Sequence, residues 1–244
     1  MLKSPSVFSN HALPPALQGV CFDFNGVLVD DEHLHFECFN AVLAPEGIAI
    51  TPAEYEDVYL GFDDRGVFTH ALRAHGRADD AATVRALIAR KAAAYAERAA
   101  RELRVFEGAA RLVREAAARA PVVIVSGALR AEIDGALAVM GVADAVGAVV
   151  AAEDVAACKP DPEGYVAGLA RLAGLAGAPL DPSRVVAVED STAGVAAALG
   201  ASLRVVAVAH TYPAEALRAA GAHAVFARVA DVRADDLAGA VVRR

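Results

Sequence analysis

Val20-Cys21-Phe22-Asp23-Phe24-Asn25-Gly26-Val27-Leu28-Val29-Asp30 is an apolar run broken by an acid, an amide and a turn-type Asn-Gly pair. Its opening, Val20 to Phe24, reads as a strand. Five further short apolar runs follow: Val122 to Val125, Ala148 to Ala151, Val185 to Val188, Leu203 to Val208 and a weaker one at Ala224 to Phe226. Such continuous apolar runs predict strands covered on both faces, hence a parallel sheet between helices. Ala/Leu-rich helical stretches fill the intervals, at Ala109 to Arg119, Arg130 to Met140, Gly164 to Leu172, Ala193 to Leu199 and Ala214 to Ala219. The prediction is an α/β fold with a doubly wound, Rossmann-like parallel sheet. Ligands of such a sheet sit beyond the carboxyl ends of its strands.

One segment breaks the alternation. From about Glu32 to Arg104 there is helical periodicity and no good strand, with turns at Glu46-Gly47 and across Gly61 to Gly66. Inserted after the first strand, it is expected to form a helical cap domain over the sheet's carboxyl edge. The run Arg85 to Arg104 reads as an amphipathic cap helix with a solvated face. The expected domains are an N-terminal extension (1–18), an α/β core (19–31 and 105–244) and a helical cap (32–104).

Composition narrows the function. Hydrophobic residues make up 56% and charged residues 22% of the chain, enough apolar material for a buried core. A net charge of −8 argues against nucleic-acid or anionic-membrane partners. A small anion can still bind, because a local cation outweighs diffuse surface charge at short range. Cys21, Cys38 and Cys158 show no metal-ligand spacing, and an odd, sparse count fits free thiols in a reducing compartment. No apolar run approaches the ~20 residues that span a bilayer. Met1 to Gln18 lacks the continuous apolar stretch of a secretion signal, so a cytoplasmic location is expected.

The polar residues at the strand ends carry the chemistry. Asp23 follows the first strand, Ser126-Gly127 the second, Lys159 the third, and Glu189-Asp190-Ser191 the fourth. Three carboxylates, a hydroxyl and a lysine then converge on one sheet edge. Crowded carboxylates repel one another and call for a cation, and a hard divalent ion such as Mg2+ suits oxygen ligands and phosphate. Asp23 is positioned to attack phosphorus and Lys159 to neutralise phosphoryl charge. Ser126 and backbone N–H groups near Gly26 or Gly127 are placed to hold phosphoryl oxygens. Taken singly, Asp23 and the Glu189-Asp190-Ser191 triplet also fit helix capping.

The ordered set Asp-x-Asn-Gly-x-x-x-Asp, Ser126, Lys159 and Glu189-Asp190 resembles the four motifs of haloacid dehalogenase-superfamily hydrolases, in the branch of β-phosphoglucomutase and phosphoglycolate phosphatase. The resemblance spans roughly residues 19 to 226. It implies Asp23 as nucleophile, Ser126 as phosphate ligand, and Lys159 as the charge steadying both. It also implies Mg2+ held by Asp23, the Asn25 carbonyl and Asp190, with Glu189 close by. In the cap, Gly61-Phe62-Asp63-Asp64-Arg65 resembles the segment whose arginine grips the substrate's far end, so Arg65 is expected there. Gly127 and His35 are further substrate-side candidates, whereas His210 and Tyr212 read as surface residues.

Asn25 departs from the family pattern, which has an aspartate there as acid and base. An amide cannot exchange protons near neutral pH, and positioned acid–base catalysis contributes about 10²–10⁴-fold. The leading expectation is a slower Mg2+-dependent phosphatase for a small phosphorylated metabolite, acting through an aspartyl-phosphate. His33, His35, Asp30 and Asp31 are nearby alternative bases. The alternative is a non-catalytic phosphometabolite-binding or regulatory protein. Deamidation or replacement at Asn25 is a third reading. A phosphonate-cleaving reading is poor because the only cap lysine, Lys91, lies late in a helix. A dehalogenase does not need the magnesium-type set.

Overall fold

The computed structural model describes residues 16–242, so of the extension expected at residues 1–18 only the last three fall within the described part. In chain order its strands are β1 (Gly19–Phe22), β2 (Val29–Asp30), β3 (Arg104–Val105), β4 (Val122–Val125), β5 (Ala148–Val150), β6 (Val185–Glu189), β7 (Arg204–Val208) and β8 (Ala224–Phe226). Its α-helices are α1 (Glu32–Leu43), α2 (Pro52–Glu54), α3 (Asp64–Ala74), α4 (Ala81–Glu102), α5 (Ala109–Ala117), α6 (Arg130–Met140), α7 (Glu163–Ala176), α8 (Thr192–Gly200), α9 (Ala214–Ala219) and α10 (Ala234–Ala240). A π-helical turn over Tyr55–Tyr59 prolongs α2.

The sheet runs β5-β4-β1-β6-β7-β8, parallel throughout. Because side chains alternate across a strand, the apolar runs feed two cores at once. Val20, Phe22, Val122, Ile124, Val186 and Val188 enter one core with α5, α6 and α10. Cys21, Val123, Val125, Val185 and Ala187 enter the other with α7, α8 and α9. That double burial is why these strands lack polar alternation. The strand order reverses at β1, flanked by β4 and β6, and this switch point is where a doubly wound sheet opens a crevice for ligands.

Two differences from the sequence reading have physical causes. β1 stops at Phe22 rather than Phe24, since the Phe24 carbonyl accepts from Leu28 N–H at 2.8 Å and turns the chain. The insert is bounded by strands: β2 and β3 pair antiparallel, Val29 with Val105 and Asp30 with Arg104. Two-residue strands are too short to show a period.

Between β2 and β3 the chain is helical. Phe39, Tyr55, Phe68, Leu72 and Leu87 pack into a core of their own. This cap is tied to the sheet domain by Lys91 of α4, which is fully buried. Its Nζ lies 2.9 Å from Glu132 Oε1 on α6 and 3.0 Å from Asp64 Oδ1 on α3. Enclosed by two carboxylates, this amine has a structural role and is not placed for Schiff-base chemistry. Among the described residues no helix is long and apolar enough to cross a membrane.

Candidate active site

Asp23 begins where β1 ends. Its N–H still donates to Val188 O at 2.9 Å, holding it in register with β6. Its Oδ1 accepts from Phe24 N–H (2.8 Å) and from Lys159 Nζ (2.8 Å). Among the described residues no hydrogen bond engages Oδ2.

Lys159 also donates to Glu189 Oε1 at 2.6 Å. Glu189 is completely buried and its oxygens are taken by the protein. Oε1 accepts from Tyr165 OH as well (2.5 Å), and Oε2 accepts from Asp190 N–H and Ser191 Oγ, each at 3.2 Å. Glu189 therefore anchors Lys159. The capping role belongs to Ser191, whose Oγ accepts from Gly194 N–H at 2.9 Å at the start of α8. Asp190 is buried and accepts from Thr211 Oγ.

Two glycines permit this closeness. Gly26 has φ +73°, and a Cβ there would stand 1.9 Å from Asp190 Oδ2. A Cβ on Gly194 would fall 2.0–2.1 Å from the Glu189 carboxylate.

The electrostatics follow from burial. Asp23, Glu189 and Asp190 each offer an oxygen within 4.8 Å of the others. Burial, reinforced by Glu189, pushes Asp23 up to about 7 despite Lys159 and the Phe24 N–H. Burial and then Asp23 and Glu189 push Asp190 well above the carboxylate range. Burial disfavours the Lys159 charge, but Asp23 and Glu189 together overcome it and raise its pKa. One ammonium thus faces three carboxylates. An all-oxygen, under-neutralised buried set fits a hard divalent cation, with Asp23 and Asp190 keeping free oxygen capacity and Glu189 committed elsewhere.

Asn25 lies beside this set. Its Nδ2 is 3.0 Å from both oxygens of Asp31, and its Oδ1 accepts from Ser126 Oγ at 3.3 Å. Asp31 is buried, takes a further hydrogen bond from Tyr95 OH, and sits 3.3 Å from His35 Nε2. Burial and Lys91 oppose a charge on His35, yet Asp31 outweighs them and raises its pKa. Of the four nearby titratable residues, the structure brings Asp31 and His35 to Asn25.

Asp23, Asn25, Asp31, Lys159 and Asp190 border a cleft of about 1190 Å³ between sheet edge and cap, with Ser126, Gly127 and His35 also in its lining. Arg65 is not there. It is exposed and borders an adjoining hollow with His70 and Arg73, which shares Phe62, Asp63 and Cys158 with the cleft. The residues missed by sequence reasoning are supporting ones: Tyr95, Tyr165 and Thr211. His210, read as a surface residue, is half-buried. Its Nδ1 donates to Gly26 O (2.7 Å) and its Nε2 accepts from Val229 N–H (3.2 Å). Its place after β7 was the available signal.

The family model for haloacid dehalogenase-like hydrolases matches residues 17–202, and the chain belongs to that family. Validoxylamine A 7'-phosphate phosphatase of Streptomyces hygroscopicus subsp. limoneus is 29% identical over 198 residues, 80% of this chain and 87% of that protein. Protein CbbY of Rhodobacter capsulatus is 28% identical over 197 residues, 78% of this chain and 84% of that one. The fold is shared with CbbY from Rhodobacter sphaeroides in complex with phosphate, at a TM-score of 0.77 and 24% identity over 88% of this chain and 96% of that one. The chain is an enzyme, a phosphatase of the haloacid dehalogenase type.

Proposed function

We propose that the protein hydrolyses phosphate monoesters of small metabolites in the presence of Mg2+, with Asp23 as the nucleophile. The observation that carries this reading is the asymmetry of Asp23. One oxygen is pinned by Lys159 and the Phe24 N–H, and the other takes no hydrogen bond among the described residues, in a side chain that borders the cleft. In the first step Asp23 Oδ2 bonds to phosphorus as the ester P–O bond breaks, and the leaving oxygen departs with both electrons. In the second, water attacks the same phosphorus, the acyl-phosphate P–O bond breaks, and inorganic phosphate and the Asp23 carboxylate are restored. Lys159 and Ser126 hold the phosphoryl oxygens during both steps.

Asp23, Asp190 and the Asn25 carbonyl would hold the ion, which when bound supplies charge neutralisation for the incoming phosphoryl group. Asn25 keeps its amide between Asp31 and Ser126 and donates hydrogen bonds without transferring a proton. The leaving oxygen therefore takes its proton from water, which favours esters whose alcohols leave readily. The Streptomyces relative is named for a small-molecule phosphate substrate, in keeping with this class.

The test is hydrolysis of p-nitrophenyl phosphate, whose leaving group needs no protonation, with and without Mg2+. We expect Mg2+-dependent turnover, lost by on the order of 10⁴-fold or more in Asp23→Asn. Beryllium fluoride is expected to bind the native chain and not that variant. Absence of both turnover and beryllium fluoride binding would remove the reading.

A further inference from the structure

We infer that the preferred substrate carries a protonated amine on its remote, non-reacting portion and no second phosphate. This rests on the phosphatase reading and adds the chemistry of the ester's far end.

The cleft, at about 1190 Å³, holds far more than a phosphoryl group, so its outer walls meet the rest of the ester. Those walls are acidic. The whole lining contains nine Asp or Glu residues, three of them (Asp23, Asp31 and Asp190) at the phosphoryl end, against two Lys or Arg residues, Lys159 and Arg228. Neither cation is free. Lys159 faces Asp23 and Glu189, and Arg228 is paired with Asp231 at 2.8 Å.

On the cap side the lining includes Glu32, Glu56, Asp63 and Asp64, the histidines His33 and, beside Asp31, His35, and no lysine or arginine. Only Asp64 meets a cation, Lys91, through Oδ1, while its Oδ2 is buried without a hydrogen-bond partner among the described residues. Glu32 accepts from Tyr55 OH at 2.5 Å, which holds the carboxylate in place without neutralising it. Asp63 accepts from Gly66 N–H (2.7 Å) and Cys158 Sγ (3.1 Å), again neutral donors.

Phe36 and Tyr55, edge-to-face at 5.2 Å, stand in the same wall. Carboxylates interleaved with aromatic rings attract an ammonium twice, by charge and through the ring faces. The same wall repels a second phosphate, and Arg65, expected to grip the substrate's far end, borders an adjoining hollow and is not in this lining.

The experiment measures binding of glucosamine 6-phosphate, glucose 6-phosphate and fructose 1,6-bisphosphate to the Asp23→Asn protein with Mg2+. That variant cannot form the aspartyl-phosphate, so the result does not depend on turnover. The expected order is glucosamine 6-phosphate tightest, by about tenfold over glucose 6-phosphate, the equivalent of ~1.4 kcal/mol, with the bisphosphate weakest. Adding Glu56→Gln, an exposed position, and separately Glu32→Gln is expected to shrink the amine preference severalfold, as is 0.5 M salt. Equal affinity for the amine and hydroxyl esters, or tightest binding of the bisphosphate, overturns the inference. Turnover of p-nitrophenyl phosphate by the native chain judges the phosphatase reading separately.

Discussion

The Asn25 amide nitrogen lies 3.0 Å from each oxygen of buried Asp31, and this pairing decides what restoring an acid at position 25 would do. Asn25→Asp alone sets two carboxylates against each other at hydrogen-bond distance, where like charges disfavour joint ionisation. Its gain in kcat on an alkyl phosphate is expected to stay below about tenfold. The reciprocal exchange, Asn25→Asp with Asp31→Asn, keeps one amide and one carboxylate in contact. It is expected to approach the ~10²–10⁴-fold that positioned acid–base catalysis supplies. Steady-state kinetics on the two variants checks this, and a larger gain from the single change contradicts it. The residue pattern alone showed that position 25 departs from the family. It did not show that Asp31 folds back against it, because a six-residue separation says nothing of direction until the Phe24 turn is made.

At the scale of the element, strand ends and helix starts place the chemistry. The first turn of α8 can abut Glu189 only because Gly194 has no side chain. Gly194→Ala pushes a methyl against that carboxylate and displaces Lys159 from Asp23. A stability loss of about 1–3 kcal/mol from overpacking is expected in urea unfolding, together with reduced kcat/KM. A second prediction concerns the start of β7, where His223 Nδ1 accepts from Val205 N–H at 3.0 Å. Burial, and then Arg204, lower the His223 pKa below its ordinary 6.5. The unfolded chain then binds more protons than the folded one just below that value, so this contribution falls as pH drops through it. Melting temperature is expected to decline less steeply between pH 7 and 5 in His223→Gln than in the native chain. Equal slopes would deny the imidazole that role.

For the molecule as a whole, Lys91 joins cap to core, bridging α3, α4 and α6 through Asp64 and Glu132. Removing one partner of a buried ion pair leaves the others unneutralised, which costs about 3–5 kcal/mol. Lys91→Met is expected to lose that much in denaturant unfolding, and Lys91→Met with Glu132→Gln to recover part of it. A loss below ~1 kcal/mol would show that the bridge contributes little.

The sheet was legible because strands buried on both faces must be apolar throughout, and polar residues can stand only where those strands end. Asp23, Ser126, Lys159 and Asp190 were therefore found from their positions along the chain. Helix ends were blurred by alanine: α7 runs to Ala176, where Gly177 at φ +67° ends it. Arg65 shows the limit most clearly. On a helix, neighbouring residues point about 100° apart, so Asp64 borders the cleft and Arg65 does not. By itself the sequence determined the layered fold, its inserted helices and which polar groups meet at the sheet edge, since burial dictates composition and spacing. Only the tertiary structure decided which carboxylate is spent on Lys159, which one meets Asn25, and what charge the cap turns toward the cleft. Those depend on side-chain direction across chain-distant contacts, which no local pattern encodes.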